Sequence, residues 1–321
     1  MRVCVLGATG FIGGQITRAA HAAGMQIHAV RRRAGAVGAI GDLPVTWHQG
    51  DLEDPASLVP AMWGCEVLFH AAGYAPFAER DALQATYQGV RQMRGVFWAA
   101  GEAGIARVVY TSSLTTIGAP PPGTDRLPDE RDGYLPGSTR NPYYEAKWAM
   151  EHEALRANQA GLPVVTLCPT AAFGPGDVKP STSRILLELA KGRLPFGIDV
   201  VTNIVDGRDV ALAHVRAATQ GAPGERYIVG GHNLNVAHAL RRAAQILGVR
   251  EPRWTLSVGT VRHLLRLLDL LRVPVPATVR GLPYWQPLNG EKGWQAFGLH
   301  PRPFEDTVRE TAAWFCEHGY M

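Results

Sequence analysis

Short apolar segments alternate with longer segments of helical periodicity through the first half of the chain. Short, mostly apolar runs bounded by turns are typical of strands, whereas apolar positions three and four apart are typical of amphipathic helices. The pattern predicts strands at residues 2–6, 26–30, 45–49, 67–71, 108–112 and 164–168, and helices at 13–23, 55–62, 82–103 and 143–160. Because strands joined by helices form parallel sheets, we expect an α/β fold with a doubly wound sheet covered on both faces.

Three glycines spaced three residues apart follow the first predicted strand. This spacing allows a tight turn, a close approach of the backbone to a pyrophosphate and close packing of helix on sheet. The N-terminus of the next helix would attract the negative charge. The turn therefore predicts a Rossmann-type dinucleotide site that contains Gly7, Thr9, Gly10, Phe11, Ile12 and Gly13.

The regular alternation stops after residue 169. Turns at 174–176 and 230–231 separate shorter units, with helices predicted at 182–191, 210–219, 236–247 and 304–318. A stretch rich in Pro and Gly at 119–139 predicts a loop over the pocket. We expect a Rossmann domain at residues 1–169 and a smaller α/β substrate-binding lobe over most of residues 170–321, with some later segments returning to the first domain.

Composition and charge restrict the class of the protein. The chain of 321 residues has a net charge of +4, 11 histidines and 4 cysteines. The arginines are dispersed, the histidines and cysteines lack ligand spacing, and no apolar segment is long enough to span a bilayer. We therefore expect no nucleic-acid partner, no metal and no integral membrane segment. Unpaired cysteines and a strand that begins at residue 2 predict a cytoplasmic protein.

A leucine-rich segment at residues 256–275 is interrupted by charged residues at helical spacing. This pattern predicts an amphipathic helix. Such a stripe usually packs on its own domain, which is the outcome we expect. The alternative is a helix around residues 264–271 that lies on a membrane and admits a lipid-like substrate.

Tyr143 and Lys147 lie four residues apart in a predicted helix that starts after an Asn-Pro pair. Residues at this spacing share one helix face, and a nearby ammonium favours the ionised phenol. We therefore expect the pKa of Tyr143 to lie below its usual value of about 10, which would make it a general acid and base. Ser112 and Ser113 end a predicted strand, at the sheet edge where doubly wound folds bind ligands. A serine hydroxyl there could hold a substrate carbonyl against the tyrosine.

Five motifs of this chain occur together in one known superfamily. They are Gly7-x-x-Gly10-x-x-Gly13, Asp51-Leu52, His70-Ala71-Ala72-Gly73, Ser112-Ser113 and Tyr143-x-x-x-Lys147. Their combination resembles the extended short-chain dehydrogenase/reductase superfamily, in particular its dihydroflavonol 4-reductase-like proteins and hopanoid-associated sugar epimerases. The resemblance implies that Ser113 is the catalytic serine, that Tyr143 is the proton donor, and that Lys147 lowers the pKa of Tyr143 and holds the nicotinamide ribose.

The resemblance also implies the remaining cofactor contacts. Asp51 and Leu52 would contact the adenine. The ribose and phosphates would be lined by Ala71, Ala72 and Gly73, and Pro169 would lie near the nicotinamide. One position departs from the family pattern, since Thr86 stands where the family has an asparagine.

The charge after the second predicted strand favours NADP(H) over NAD(H). A ribose 2′-hydroxyl is usually bound by an acidic residue about twenty residues after the glycines, whereas a 2′-phosphate is bound by arginine. Here Arg31, Arg32 and Arg33 follow the strand, and no acidic residue occurs before Asp42. We expect Arg31 to be the main phosphate contact, with a solvated basic turn as the alternative.

Three functions fit these residues, in descending order of support. The first is an NADPH-dependent reductase of a ketone or aldehyde. The second is a nucleotide-sugar epimerase or dehydratase that retains NAD. It ranks second because such enzymes usually bind the diphosphate with an arginine near residues 203–205, where this chain has Asn203. A neutral amide is a poor substitute for the charged donors of arginine. The third is a non-catalytic cofactor-sensing regulator, which conflicts with the retention of all three catalytic residues.

An apolar pocket would suit an aromatic, polyketide-like or terpenoid carbonyl compound. The candidate pocket residues are Tyr74, Phe77, Leu114, Thr115, Ala171 and Phe173, and the apolar ones can alternatively belong to the core. The resemblance further implies a homodimer formed through the helices at 82–103 and 143–160.

Overall fold

The structure is a computed structural model that describes residues 1–74, 81–139, 141–180, 182–271, 273, 275 and 277–321. Its strands are β1 (Arg2–Leu6), β2 (Gln26–Arg31), β3 (Thr46–Gln49), β4 (Val67–His70), β5 (Arg107–Thr111), β6 (Val164–Pro169), β7 (Ala171–Phe173), β8 (Phe196–Asp199), β9 (Val201–Asp206), β10 (Arg226–Val229), β11 (His232–Asn235) and β12 (Trp254–Ser257). Its α-helices are α1 (Phe11–Ala22), α2 (Val59–Met62), α3 (Ala82–Glu102), α4 (Pro142–Gln159), α5 (Arg184–Ala190), α6 (Gly207–Gln220), α7 (Val236–Leu247), α8 (Val258–Leu270), α9 (Ala277–Gly281), α10 (Glu291–Phe297) and α11 (Phe304–Glu317).

A seven-stranded sheet with the order β10-β6-β5-β4-β1-β2-β3 forms the centre of the fold. Every neighbouring pair in it is parallel. The chain moves outward from β1 through β2 and β3 on one side, and returns to start again at β4 on the other. This reversal creates a crevice at the carboxyl ends of β1 and β4, which is where doubly wound sheets bind ligands.

The two faces of the sheet are covered by different helices, as the strand periodicity of two requires. Val3 and Val5 of β1 belong to the core under α1 and α6, while Cys4 and Leu6 belong to the core under α3 and α4. The predicted doubly wound Rossmann fold is thus confirmed.

A smaller α/β lobe is built from the second half of the chain. It contains a three-stranded sheet of the order β11-β9-β7 and a two-stranded sheet of β12 and β8. Helices α5, α7 and α11 pack around its apolar core. However, α6 packs on α1, and β10 pairs with β6 at the edge of the main sheet. Residues 207–229 therefore belong to the Rossmann part, although they follow residue 170.

Several predicted boundaries shift by a few residues. The first helix begins at Phe11 and the second strand includes Arg31. Residues 55–62 split into a 3₁₀ turn, Pro55–Leu58, and the short α2. Residues 119–139 form no regular element, as expected for a loop.

The leucine-rich helix differs from its expected packing. Of α8, only Val261 is buried, while Leu264, Leu267 and Leu270 are 47%, 51% and 78% exposed. The expectation that this stripe packs on its own domain is therefore wrong for its outer leucines. Among the described residues, no helix has the length and apolarity that a bilayer span requires.

Candidate active site and cofactor cleft

The turn between β1 and α1 requires glycine at two positions. Gly7 has a φ of +91°, and a Cβ atom built on it would lie 2.8 Å from the carbonyl carbon of Ala71. A Cβ atom on Gly13 would lie 2.1 Å from the carbonyl oxygen of Gly7. These approaches let the turn lie flat against the end of β4 and let α1 pack closely on it.

The N-terminus of α1 opens toward this turn. Its first backbone hydrogen bond runs from the Gly14 amide to the Gly10 carbonyl at 2.9 Å, so the preceding amides have no partner within the helix. The first turn of α1, all of which the structure describes, contains no acidic side chain. Free amides and the positive end of the helix dipole fit a bound phosphate group.

A cavity of about 410 Å³ lies in the crevice next to this helix end. Of the predicted cofactor residues, it is lined by Gly7, Thr9, Gly10, Arg31, Asp51, Leu52, Ala71, Ala72 and Gly73. Its wall also contains residues that the sequence did not indicate as cofactor contacts, namely Leu6, Val30, Arg32, Gly50, Glu53, Leu58, Tyr74 and Gln92. The arginine triplet could have indicated Arg32 as a cavity residue. Glu53 and Gln92 lie in other segments of the chain, and no motif in those segments points to the cavity.

The remaining predicted cofactor residues do not line this cavity; they are Phe11, Ile12, Gly13, Tyr143, Lys147 and Pro169. The Phe11 ring lies against the backbone of Gly207, at the α1–α6 contact. Ile12 packs against the core under α1. Pro169 is the last residue of β6. Phe11 and Ile12 are therefore used at least partly in packing, and Pro169 lies within the main sheet.

The end of the cavity beside β2 contains two arginines. Arg31 and Arg32 both line it, and the guanidinium of Arg31 stacks over the Trp47 ring at 5.0 Å from its centroid. Two acidic residues, Asp51 and Glu53, also line the cavity, and Glu53 forms an ion pair with Arg91. The arrangement leaves positive charge available beside the carboxyl end of β2.

Ser113 begins a 3₁₀ turn directly after β5. Its hydroxyl accepts hydrogen bonds from the backbone amide and the hydroxyl of Thr115, at 3.2 and 3.0 Å. The Ser113 hydroxyl also hydrogen-bonds the side chain of Tyr143. Asn141 caps α4 by accepting from the Tyr143 amide at 3.0 Å, which fixes the first turn of that helix. Ser113 and Tyr143 are thus brought together from two elements, as predicted.

The protonation states of the pair suit proton donation by the tyrosine. Burial raises the pKa of Tyr143, and the hydrogen bond with Ser113 offsets part of the rise. The expected lowering by Lys147 is wrong in this structure, because Lys147 Nζ lies 5.9 Å from the Tyr143 ring centroid and desolvation of the phenolate dominates. Tyr143 is accordingly a neutral phenol at neutral pH, with a proton to donate.

Lys147 lies buried beside the cofactor cavity. A Cβ atom on Gly73, which lines the cavity, would lie 2.9 Å from Lys147 Nζ. Burial lowers the pKa of Lys147 to about 8, against the opposing attraction of Glu151. The ammonium is thus close enough to the cavity wall to bind a ribose hydroxyl, and it is protonated at neutral pH.

The sequence profile of the NAD-dependent epimerase/dehydratase family matches residues 3–230, which include the turn, the cavity and the Ser113, Tyr143 and Lys147 side chains. The chain belongs to this family. It is an NAD(P)-dependent oxidoreductase of the extended short-chain dehydrogenase/reductase type.

Members of the family resemble this protein along their whole length. A putative dihydroflavonol 4-reductase of Synechocystis is 31% identical, with 99% of this chain and 95% of the relative covered. Sterol demethylase protein B of Methylococcus capsulatus is 29% identical, with 100% of both chains covered. The solved structure of a nucleoside-diphosphate-sugar epimerase from Pseudomonas aeruginosa has a TM-score of 0.86 and 26% identity, with 100% and 99% of the two chains covered. The family resemblance seen in the motifs is thus confirmed.

The candidate substrate residues are distributed between the site and the core. Tyr74 lines the cofactor cavity, and Leu114 packs on a small apolar cluster beside β6. Thr115 is buried, with its hydroxyl bound to Ser113. Ala171 and Phe173 pack within the core of the smaller lobe, which is the alternative that their apolar character left open. Phe77 lies outside the described residues.

The side chain of Asn203 is used inside the protein. Its oxygen accepts from the Thr170 hydroxyl at 2.9 Å and from the Gly231 amide at 2.7 Å, and its nitrogen donates to Asn233 Oδ1 at 2.9 Å. The residue is only 2% exposed. Asn203 therefore joins β9 to its neighbours and does not present its amide to a ligand. Within the described residues, no cluster of three metal-ligating side chains is found.

Proposed function

We propose that this family member is an NADPH-dependent reductase of ketones or aldehydes. The observation that carries the proposal is the pair Arg31 and Arg32 on the wall of the cavity at the end of β2. Arginine suits a 2′-phosphate because its guanidinium offers several donors in one plane. A reductase binds NADPH and releases NADP⁺ in each cycle, whereas an epimerase retains NAD and oxidises its substrate only transiently. A preference for NADPH therefore favours carbonyl reduction.

The chain's own residues provide the rest of the reaction. When bound, the reduced nicotinamide supplies the hydride that adds to the carbonyl carbon. Tyr143 gives its phenolic proton to the carbonyl oxygen, and the Ser113 hydroxyl donates a hydrogen bond to the same oxygen as negative charge develops there. Lys147, whose Nζ lies beside the Gly73 wall of the cavity, holds the ribose through its ammonium. The product is an alcohol, and a proton from water restores Tyr143.

An apolar, aromatic or alicyclic substrate fits the side chains around Ser113. Leu114 directly follows Ser113 in the 3₁₀ turn, and Tyr74 lines the cavity. The names of two relatives, a dihydroflavonol reductase and a sterol demethylase component, refer to compounds with fused rings.

A nucleotide-sugar epimerase or dehydratase with retained NAD is the second candidate. It is favoured by the resemblance to the Pseudomonas epimerase structure. Against it, Asn203 has both ends of its amide bound within the protein, and an amide is a weaker ligand for a diphosphate than arginine. A cofactor-sensing regulator without turnover is disfavoured by the hydrogen-bonded Ser113 and Tyr143 beside a buried Lys147.

The decisive experiment is a titration with NADPH and NADH in parallel, followed by turnover on aromatic and alicyclic ketones and aldehydes. We expect Arg31→Ala to raise the KM for NADPH by about 10- to 100-fold, because one or two charge-assisted hydrogen bonds to the 2′-phosphate are lost. The KM for NADH should change little. Arg33→Ala is the matched control, because Arg33 is exposed and does not line the cavity.

Tyr143→Phe should abolish turnover while leaving NADPH binding intact. Purified protein that carries bound NAD and oxidises no added NADPH would instead favour the epimerase. The cytoplasmic location remains a prediction. So does the homodimer, for which Tyr87 and Trp98 of α3, 64% and 50% exposed, offer apolar contact surface.

A further inference from the structure

The outward face of α8 is unusually apolar for an exposed helix. Four leucines lie on it, with exposures of 47%, 51%, 78% and 62% for Leu264, Leu267, Leu270 and Leu271. We call these four residues the α8 stripe. Since Val261 is buried and Leu265 and Leu268 are half-buried, α8 uses one apolar face for packing and leaves a second one uncovered.

The stripe is contiguous along the helix. Leu264, Leu267 and Leu271 are spaced three and four residues apart, so they stack in one row, and Leu270 lies beside that row. Contiguous exposed apolar surface on a protein marks a site of interaction with a partner or a membrane. Trp254, in the strand that leads into α8, is a further exposed apolar side chain, at 55%.

The charge of the surrounding chain selects among the candidate occupants. Residues 241–280 contain eight arginines and two acidic residues, whereas the whole chain has a net charge of only +4. One of those acids, Asp269, is paired with Arg280 at 2.5 Å. Two copies that met through this region would bring like charges together. An anionic lipid surface instead attracts the arginines and accepts the leucines.

We propose that α8 binds the surface of an anionic lipid bilayer and lies parallel to it. The α8 stripe would enter the boundary between headgroups and acyl chains, and Arg266, on the flank of the stripe, would contact lipid phosphates. Trp254 would lie at the headgroup level, where indole rings are favoured.

The docked helix would lie close to the catalytic helix. Arg262 Nη2 donates to the carbonyl oxygen of Pro283 at 3.2 Å, which ties α8 to the turn at Leu282–Tyr284. The ring of Tyr284 lies 6.2 Å from that of Tyr144, the residue next to Tyr143. If the reductase assignment is right, on which this step rests, an apolar substrate can reach the site from the bilayer.

The test is co-sedimentation of the full chain with vesicles. We expect binding to vesicles of phosphatidylcholine mixed with phosphatidylglycerol, weaker binding to phosphatidylcholine alone, and release by salt. The double variant Leu267→Glu and Leu271→Glu should lower the partition coefficient at least about tenfold. Leu135→Glu is the control, because Leu135 is a loop leucine that is 71% exposed. Circular dichroism of each variant verifies that it is folded.

Two results would overturn the proposal. One is the absence of binding to the anionic vesicles, or equal binding by the double Glu variant. The other is a wild-type oligomer, seen by sedimentation velocity, that the double variant dissociates while neither protein binds vesicles; a second copy would then cover the stripe. Vesicle binding is measured without cofactor or substrate, so its result does not depend on whether the protein is a reductase.

Discussion

Arg226 Nε lies 2.7 Å from Glu151 Oε1, and the Glu151 side chain is buried. The contact is ionic and not an aligned hydrogen bond, while Arg226 Nη2 donates to the Thr116 carbonyl oxygen at 3.0 Å. The other oxygen of Glu151 accepts from the Thr116 hydroxyl at 2.7 Å and from the Ser112 hydroxyl. One carboxylate thus joins the helix of Tyr143 and Lys147 to the turn of Ser113 and to the last strand of the sheet.

Glu151→Gln should destabilise the protein strongly. Glu151 is 3% exposed, so the change leaves Arg226 as an uncompensated charge in the interior, at a cost of about 3–5 kcal/mol. Urea unfolding measures this loss. Asp306→Asn is the matched control, because it breaks the exposed pair with Arg309 and should cost less than about 1 kcal/mol. Equal losses in the two variants would contradict the role assigned to the buried pair.

The rate of carbonyl reduction should fall as the pH rises through about 8. Burial lowers the pKa of Lys147 to about 8, so the neutral amine predominates above that pH and no longer holds the ribose as a cation. Glu151 raises the pKa of Lys147, so Glu151→Gln should move this alkaline limb to lower pH. Profiles of kcat/KM against pH for both proteins measure the shift. An unchanged limb in the variant would assign it to another group.

Lys147→Met should abolish turnover and yet stabilise the fold. Because the pKa of Lys147 falls from 10.5 to about 8 on folding, the buried ammonium opposes folding below pH 8. Removing it should raise the free energy of unfolding at pH 7 by about 1–3 kcal/mol. The advantage should shrink between pH 8 and 10.5, where the folded wild type is already neutral at this position. A destabilised variant at pH 7 would show that the ammonium is fully compensated in the fold.

Gly7→Ala should disrupt the cofactor turn far more than Gly24→Ala. Both glycines have a positive φ, at +91° and +74°, so both substitutions carry a conformational cost of about 1–2 kcal/mol. Only at Gly7 does the new Cβ atom also meet backbone, 2.8 Å from the Ala71 carbonyl carbon; at Gly24 nothing lies within 4 Å. Thermal denaturation and NADPH titration of both variants measure the difference. Similar NADPH affinities would exclude the tight turn as a requirement for binding.

The sequence predicted the parts of the site that depend on local pattern. The spacing of Gly7, Gly10 and Gly13 and the four-residue step from Tyr143 to Lys147 each fix a geometry within one turn or one helix face. By contrast, Arg226 meets Glu151 only because β10 returns to the edge of the main sheet. No periodicity within either segment could indicate that contact.

The electrostatic expectation failed for a similar reason. The i, i+4 spacing shows that Tyr143 and Lys147 share a helix face, but it gives no information about burial. In the fold, desolvation raises the pKa of Tyr143 and lowers that of Lys147. The α8 stripe shows the same limit, since periodicity identifies an apolar face without showing what covers it.

The return of residues 207–229 to the Rossmann part also limits how this protein can be divided. A fragment that ends at residue 169 would expose the edge of β6, uncover α1 and leave Glu151 without Arg226. Exchange of substrate lobes between relatives, in the laboratory or in evolution, therefore requires at least three junctions, before β7, after β9 and after β10, with α6 and β10 kept from the parent. The substrate specificity of this fold can therefore change by replacing the lobe segments that are inserted between parts of the Rossmann domain. It cannot change by fusing two independently folding halves.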